Sequence, residues 1–123
     1  MELIDIVEII IKLVVGLSIL NVWLVNRNKL TPWRGGNANS MQEEFAAYGL
    51  SINMMIIVGT LKCLFAVLLL ISIIFSVTEY TGAIGIAVLM AGAIIMHLKI
   101  NDPIKKSLPA GIFLILSLIT LYI

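Results

Sequence analysis

Four long runs of apolar residues dominate the chain, and short polar stretches separate them. Each run is close to the length that a helix rising about 1.5 Å per residue needs to cross a hydrocarbon core of about 30 Å. None shows the alternation of polar and apolar residues that marks a strand, and only closed barrels let strands cross lipid. We therefore predict an all-α integral membrane four-helix bundle, with helices over residues 4–25, 52–77, 82–98 and 104–123.

One connection, residues 26–51, is long and polar, and its sequence predicts a short amphipathic helix over about residues 41–48. Ser40 and Glu43 have the S-x-x-E spacing of a capping box, in which each side chain binds a free backbone N–H at the helix start. Apolar residues then recur at i, i+4 and i+7, which places them on one face: Met41, Phe45 and Tyr48. We expect this interfacial helix to lie against the inner membrane surface.

The composition supports a membrane location, because 61% of the residues are hydrophobic and 12% are charged. A typical soluble domain has about 45–50% apolar and about 25% charged residues. A length of 123 residues suits one domain, so residues 1–123 are expected to form a single membrane domain. The net charge of +1 provides no basic or acidic run for nucleic acid, which leaves the lipid bilayer as the partner that the composition predicts.

The basic residues predict the orientation. Six of the eight lie after the first and third apolar runs: Arg27, Lys29, Arg34, Lys99, Lys105 and Lys106. Cytoplasmic loops carry an excess of Lys and Arg, so these two connections should face the cytoplasm. Both termini should then lie outside.

Ionisable side chains at membrane depth are costly and are by default candidates for function. Glu8 and Lys12 have the i, i+4 spacing of an ion pair on the first helix, and Lys62 lies near the middle of the second. Counted from the inner interface, Lys12 and Lys62 come out at similar depths. We predict an intramembrane charge cluster of Glu8, Lys12 and Lys62, in which Lys62 is buried or lines a cavity and is neutralised by Glu8 or by a lowered pKa. The alternative is that Glu8 lies among outer headgroups and each lysine snorkels along its own stem.

Arg34 and His97 are candidates for contact with a lipid or quinone headgroup. Arg34 precedes a pair of glycines whose amides could form an anion-binding nest, although a glycine-rich turn anchored by Trp33 explains the same residues. His97 lies near the inner end of the third helix. It has no second His or Cys at ligand spacing, so no metal site is expected. No catalytic motif is present either, and we predict no catalytic residue.

Several short segments, in this order, resemble the DoxX-like family of small four-helix membrane proteins. They are Gly-Thr-Leu-Lys at residues 59–62 and Met-His-Leu-Lys-Ile-Asn-Asp-Pro at residues 96–103. The loop at residues 31–36 and the stretch at 44–50 look like a bacterial branch of that family, and the similarity covers nearly the whole chain. The resemblance implies a multi-pass protein of the bacterial cytoplasmic (inner) membrane. Many members carry a glutamate near the position of Lys62, so any role of that acid does not transfer to this chain.

The family suggests two different functions. Its founding members are linked to quinone-coupled sulfur oxidation, and animal relatives assist the assembly of membrane receptors. Our leading prediction is a noncatalytic subunit or assembly factor of a membrane complex, without a cofactor, whose partner is another membrane protein or a second copy. The alternative is a redox-associated subunit that binds quinone or lipid near Arg34, His97 and Lys62. A small proton-coupled exporter that uses Glu8 ranks last.

Overall fold

The computed structural model describes residues 2–123, which form α-helices, short helical turns and loops, with no strand in that range. The α-helices are α1 (Leu3–Leu20), α2 (Met41–Ala47), α3 (Ile52–Ile71), α4 (Glu79–Lys99) and α5 (Leu108–Tyr122). A π-helical turn, Asn21–Val25, continues α1, and 3₁₀ turns precede α4 and α5 at Ser76–Thr78 and Ile104–Ser107. The prediction of an all-helical chain is confirmed.

Three of the helices are long and apolar enough to cross a membrane. With their leading turns they are Ile52–Ile71, Ser76–Lys99 and Ile104–Tyr122, with mean hydropathies of 2.6, 2.0 and 1.6. The outer faces of these helices expose large apolar side chains such as Val88 and Ile115. Exposing so much apolar surface to water is unfavourable, whereas contact of the same surface with lipid tails is favourable.

The long helices α1, α3, α4 and α5 pack side by side and run alternately up and down. Each contacts two others, in the pairs α1 with α3, α3 with α4, α4 with α5 and α5 with α1. The fully buried side chains between them include Val15, Leu69 and Ile86. Small residues allow close approach, since a Cβ placed on Gly82 would lie only 2.7 Å from the backbone nitrogen of Leu69.

The connection between α3 and α4 differs from the prediction. α3 ends at Ile71 rather than at residue 77, and α4 begins at Glu79 rather than at residue 82. The hydroxyl of Ser72 donates to the carbonyl of Leu69, and the Thr78 hydroxyl donates to Leu68 O at 2.8 Å, so side chains satisfy carbonyls at the end of α3. An acidic residue is favourable in the first turn of a helix, which explains why Glu79 belongs to α4 instead of the turn.

Residues 26–51, here called the cap segment, fold against one end of the helical bundle. The predicted short helix exists as α2, and its Ser40 hydroxyl accepts from the Glu43 N–H at 3.2 Å. The apolar face of α2 packs against protein, because Met41, Phe45 and Tyr48 are buried, and the position of this helix at the membrane surface stays a prediction. The Phe45 ring packs edge-on against Trp23, with ring centres 6.0 Å apart.

Candidate functional site

A cavity of about 730 Å³ lies between the cap segment and the nearby halves of α3, α4 and α5. Most of its lining is apolar, including Val58, Leu89, Ala93 and Phe113. Ionisable side chains also line it: Lys29, Arg34, Glu44, Tyr48, Lys62, His97 and Lys106. A mostly apolar cavity with a few polar groups has the general character of a site for a small amphipathic molecule.

Arg34 holds the cap segment together from inside. Its side chain is 5% exposed, and Nη2 donates to the carbonyls of Asn26, Arg27 and Lys29 at 3.0, 2.9 and 2.9 Å. Nη1 forms an ion pair with Glu44 Oε2 at 3.4 Å. Because internal acceptors already occupy most of its donors, Arg34 has little capacity left for the headgroup contact that the sequence predicted.

A chain of polar contacts continues from Arg34 across the cap. Glu44 Oε1 accepts the Tyr48 O–H at 2.6 Å, the Tyr48 hydroxyl oxygen lies 3.5 Å from His97 Nε2, and His97 Nδ1 lies 2.7 Å from Asp102 Oδ2. All of these side chains are buried or nearly so. We call this set, Arg34, Glu44, Tyr48, His97 and Asp102, the polar chain. Among the described residues, no three His, Cys, Asp or Glu side chains are grouped as metal ligands.

Local backbone structure explains two links of the polar chain. Glu44 and Tyr48 are four residues apart on α2, which places them on one face. After α4, Asn101 adopts a left-handed conformation with φ of 57°, and the Asp102 N–H donates to His97 O at 3.0 Å. This is the hydrogen bond of a Schellman-type helix end, and it turns the Asp102 side chain back onto His97.

The protonation of Tyr48 is set by its surroundings. Burial, followed by the negative charge of the neighbouring Glu44 carboxylate, raises the pKa of Tyr48 well above its ordinary value. Tyr48 therefore remains a hydrogen-bond donor to Glu44 over the physiological pH range.

The turn between α4 and α5 fastens the cap segment to the bundle. The Gly36 N–H donates to both oxygens of Asp102, at 3.0 and 3.2 Å, and Lys106 donates to the Gly36 carbonyl. Lys99 donates to the Tyr48 carbonyl at 2.9 Å. Of the glycine pair after Arg34, Gly36 donates its N–H to the protein's own Asp102 carboxylate.

Lys62 projects from α3 to the cavity wall. Its Nζ lies 5.3 Å from the centre of the Trp23 ring, within the range of a cation–π contact. In the part of the chain that the structure describes, Lys62 has no ion pair and no hydrogen bond.

The predicted charge cluster is only partly assembled. Lys12 is 3% exposed and its Nζ lies 2.9 Å from Glu8 Oε1, so the i, i+4 pair exists. The second partner of Lys12 is Glu79 at 3.0 Å, and its third contact is the Ser72 carbonyl at 3.4 Å. Lys62 is not a member of this cluster.

The register between α1 and α3 explains why the structure separates Lys62 from Glu8 and Lys12. Gly16 packs on Leu70 and Trp23 packs on Gly59, so Lys12 lies beside the far end of α3. Trp23 follows Lys12 by eleven residues, which is about 16 Å of helical rise. The prediction assumed that the end of α1 and the start of α3 lie at the same depth. In the structure the cap segment lies beside the first turns of α3, so α1 meets α3 further along that helix.

Sequence reasoning missed four residues of these clusters, namely Glu44, Glu79, Tyr48 and Asp102. The i, i+4 spacing of Glu44 and Tyr48 was a usable signal, and so was the Asn-Asp-Pro sequence that follows α4. Nothing in the sequence pointed from Lys12 to Glu79, since 67 residues separate them and only packing brings them together.

The apolar exterior and the three candidate spans define a helical membrane protein. The chain belongs to the DoxX-like family, whose model matches residues 33–120, from the cap segment to near the end of α5. The resemblance identified from the sequence is therefore confirmed. No curated protein and no solved structure matches the chain.

Proposed function

We propose that the protein is a noncatalytic subunit or assembly factor of a membrane complex, and that it holds a lipid or a quinone in the cavity under the cap segment. The cavity is the observation that supports ligand binding. Its volume of about 730 Å³ falls within the range of about 300–1,000 Å³ that is common for small-molecule sites. Its apolar lining suits a hydrocarbon or isoprenoid chain, and its polar groups suit a headgroup.

In this proposal α1 crosses the membrane together with α3, α4 and α5, as a four-helix bundle. The ion pairs of Lys12 with Glu8 and Glu79 reduce the penalty of placing these charges at membrane depth. The cap segment and the turn between α4 and α5 carry six basic residues, so this end would face the cytoplasm of a bacterial inner membrane. Both termini would lie outside.

The contacts within the polar chain support a binding role over a catalytic one. Arg34 and Tyr48 both direct donors at Glu44, and His97 and the Gly36 N–H both contact Asp102. Side chains that are hydrogen-bonded to one another in this way shape the wall of the cavity and are not free to react with a substrate. The exporter alternative still ranks last, because Glu8 is ion-paired at the opposite end of the bundle from the cavity.

A cavity-filling variant tests ligand binding. A Cβ on Gly92, which lines the cavity, would meet nothing within 4 Å, and the same holds for Gly111, which lies outside the cavity. Gly92→Leu should therefore reduce the amount of lipid or quinone that co-purifies in mild detergent, while Gly111→Leu should leave it unchanged. Mass spectrometry of organic extracts distinguishes quinones from lipids. Equal amounts from both variants and the wild type would refute the cavity as the binding site.

The subunit role has its own test. Purification of the tagged full chain from its native membrane should recover a stoichiometric membrane protein or a second copy. Recovery of the monomer alone, with normal complex assembly in deletion membranes, would contradict that role while leaving the ligand experiment interpretable.

A further inference from the structure

We infer that the molecule held in the cavity carries an acidic head group, a carboxylate or a phosphate, and that Lys62 binds it. This inference rests on the proposed ligand-binding function and narrows the chemical class of the ligand. It begins from Lys62, whose ammonium reaches the cavity wall beside the face of the Trp23 ring. Among residues 2–123, no carboxylate lies within ion-pair distance of this ammonium.

Two other cations near the cavity already bind partners within the protein. Arg34 binds Glu44 and three carbonyls of the cap segment. Lys106 lies 3.9 Å from Asp102 Oδ1 and also donates to the Gly36 carbonyl. Lys29 lines the cavity but is exposed at its outer edge. Among the described residues, Lys62 is thus the half-buried cation of the cavity wall that has no ion pair and no hydrogen bond.

The neighbouring acids are engaged as well. Glu44 accepts from Tyr48 at 2.6 Å and from Arg34 at 3.4 Å, and Asp102 accepts two bonds from Gly36 besides its contact with His97. Neither carboxylate needs Lys62, and neither lies within ion-pair distance of it. A negative charge in direct contact with Lys62 would therefore come from the occupant of the cavity.

The type of head group follows from the strength of the contact. An ammonium in a mostly apolar cavity gains more from an ionised oxygen than from a neutral carbonyl, because charge-assisted hydrogen bonds are about twice as strong as neutral ones. The Trp23 ring face offsets only part of the lost hydration. A neutral ester or a quinone carbonyl would leave the charge of Lys62 unbalanced, whereas a carboxylate or phosphate would balance it.

A direct binding measurement uses a dibrominated stearic acid, whose bromines quench tryptophan fluorescence on contact, since Trp23 and Trp33 both line the cavity. In the full chain in detergent at neutral pH, this acid should bind at least about tenfold more tightly than its methyl ester, as expected for one charge-assisted contact. Lys62→Met should abolish that preference while leaving the binding of the ester unchanged. Lys62→Arg should retain the preference.

Lys105→Met is the matched control, because Lys105 is an exposed lysine near the same end of the bundle and does not line the cavity. It should bind the acid and the ester as the wild type does. Competition by oleic acid against oleoyl lysophosphatidic acid decides between a carboxylate and a phosphate head. Equal binding of acid and ester by the wild type, or an undiminished preference in Lys62→Met, would overturn the role of Lys62 but not the cavity. Both proposals would be overturned if none of these probes bound and if Gly92→Leu and the wild type also yielded equal amounts of extracted lipid.

Discussion

Lys12 joins three helices through a single ammonium group. It pairs with Glu8 of α1 and Glu79 of α4, and it donates to the Ser72 carbonyl at the end of α3. Removing one member of a buried ion pair leaves uncompensated charge, which is generally more damaging than removing the whole pair. The two carboxylates in contact with Lys12 therefore make its charge a structural requirement.

This arrangement predicts a coupled effect of Lys12 and Glu79 on stability. Lys12→Met should lower the free energy of unfolding by about 1–3 kcal/mol, because Glu8 and Glu79 would then repel each other without a cation. Lys12→Met combined with Glu79→Gln should recover part of that loss. Thermal unfolding in detergent measures both, with Lys105→Met as the exposed control.

The same measurement checks the separation of Lys62 from this cluster. Lys62→Glu combined with Glu8→Lys should show no recovery, because sites so far apart behave additively. A positive coupling between Glu8 and Lys62 would mean that the register of α1 against α3 is wrong.

At alkaline pH, the buried hydroxyl of Tyr48 should make the free energy of unfolding depend on pH. Its pKa is raised in the folded protein by burial and by Glu44, so the folded state keeps a proton that the unfolded state releases above about pH 10. The stabilising effect is fully present below that pH and is lost as the pH rises further. Tyr48→Phe should lower stability at neutral pH by about 1 kcal/mol, through the lost hydrogen bond to Glu44, and should show a shallower alkaline decline. Parallel unfolding curves over this pH range test it, and identical alkaline slopes would contradict it.

At the scale of elements, the contact between the end of α1 and α3 depends on a glycine. A Cβ on Gly59 would collide with the Trp23 ring, which the π-helical turn places there and which packs edge-on against Phe45 with ring centres 6.0 Å apart. The ring therefore fits only because Gly59 has no side chain. The same ring forms one wall of the Lys62 site.

Gly59→Ala should destabilise the protein by about 1–3 kcal/mol through overpacking and should shift the tryptophan emission, because the Trp23 ring must move. Gly111→Ala is the control, since its Cβ would meet nothing within 4 Å. Unchanged emission and stability in Gly59→Ala would show that Trp23 does not depend on this contact.

The elements themselves were largely predictable. Long apolar runs predicted α3, α4 and α5, and the Ser40 cap with Gly49, at φ of 80°, marks the limits of α2. The end of α3 was not predictable from hydropathy, because Ile73 and Ile74 continue the apolar run after the helix has stopped. Hydroxyl groups and the packing of Gly82 decide that boundary.

At the scale of the whole molecule, Asp102 connects the cap segment to the bundle through Gly36, His97 and Lys106. Asp102→Asn should weaken these contacts, because a neutral amide accepts fewer and weaker hydrogen bonds than a carboxylate. The cap segment carries Arg27 and Lys29, which are exposed, so trypsin should cleave it several-fold faster in this variant.

Asp5→Asn serves as the control because Asp5 is an exposed acid at the other end of the bundle. If the cap segment of Asp102→Asn is cleaved at the wild-type rate, Asp102 does not hold the cap segment against the bundle. Faster cleavage together with loss of the co-purified amphiphile would connect closure of the cap segment to retention of the ligand.

The sequence by itself determined that the chain is a helical membrane protein of the DoxX-like family, because hydropathy, helix length and the order of short motifs are local properties. It also determined the pair of Glu8 with Lys12 and the start of α2, since i, i+4 spacing and capping act within one helix. Only the tertiary structure decided that Glu79, rather than Lys62, completes the Lys12 cluster. The reason is that the register between helices depends on the shapes of packed side chains, such as Trp23 on Gly59, and periodicity along the chain carries no information about it.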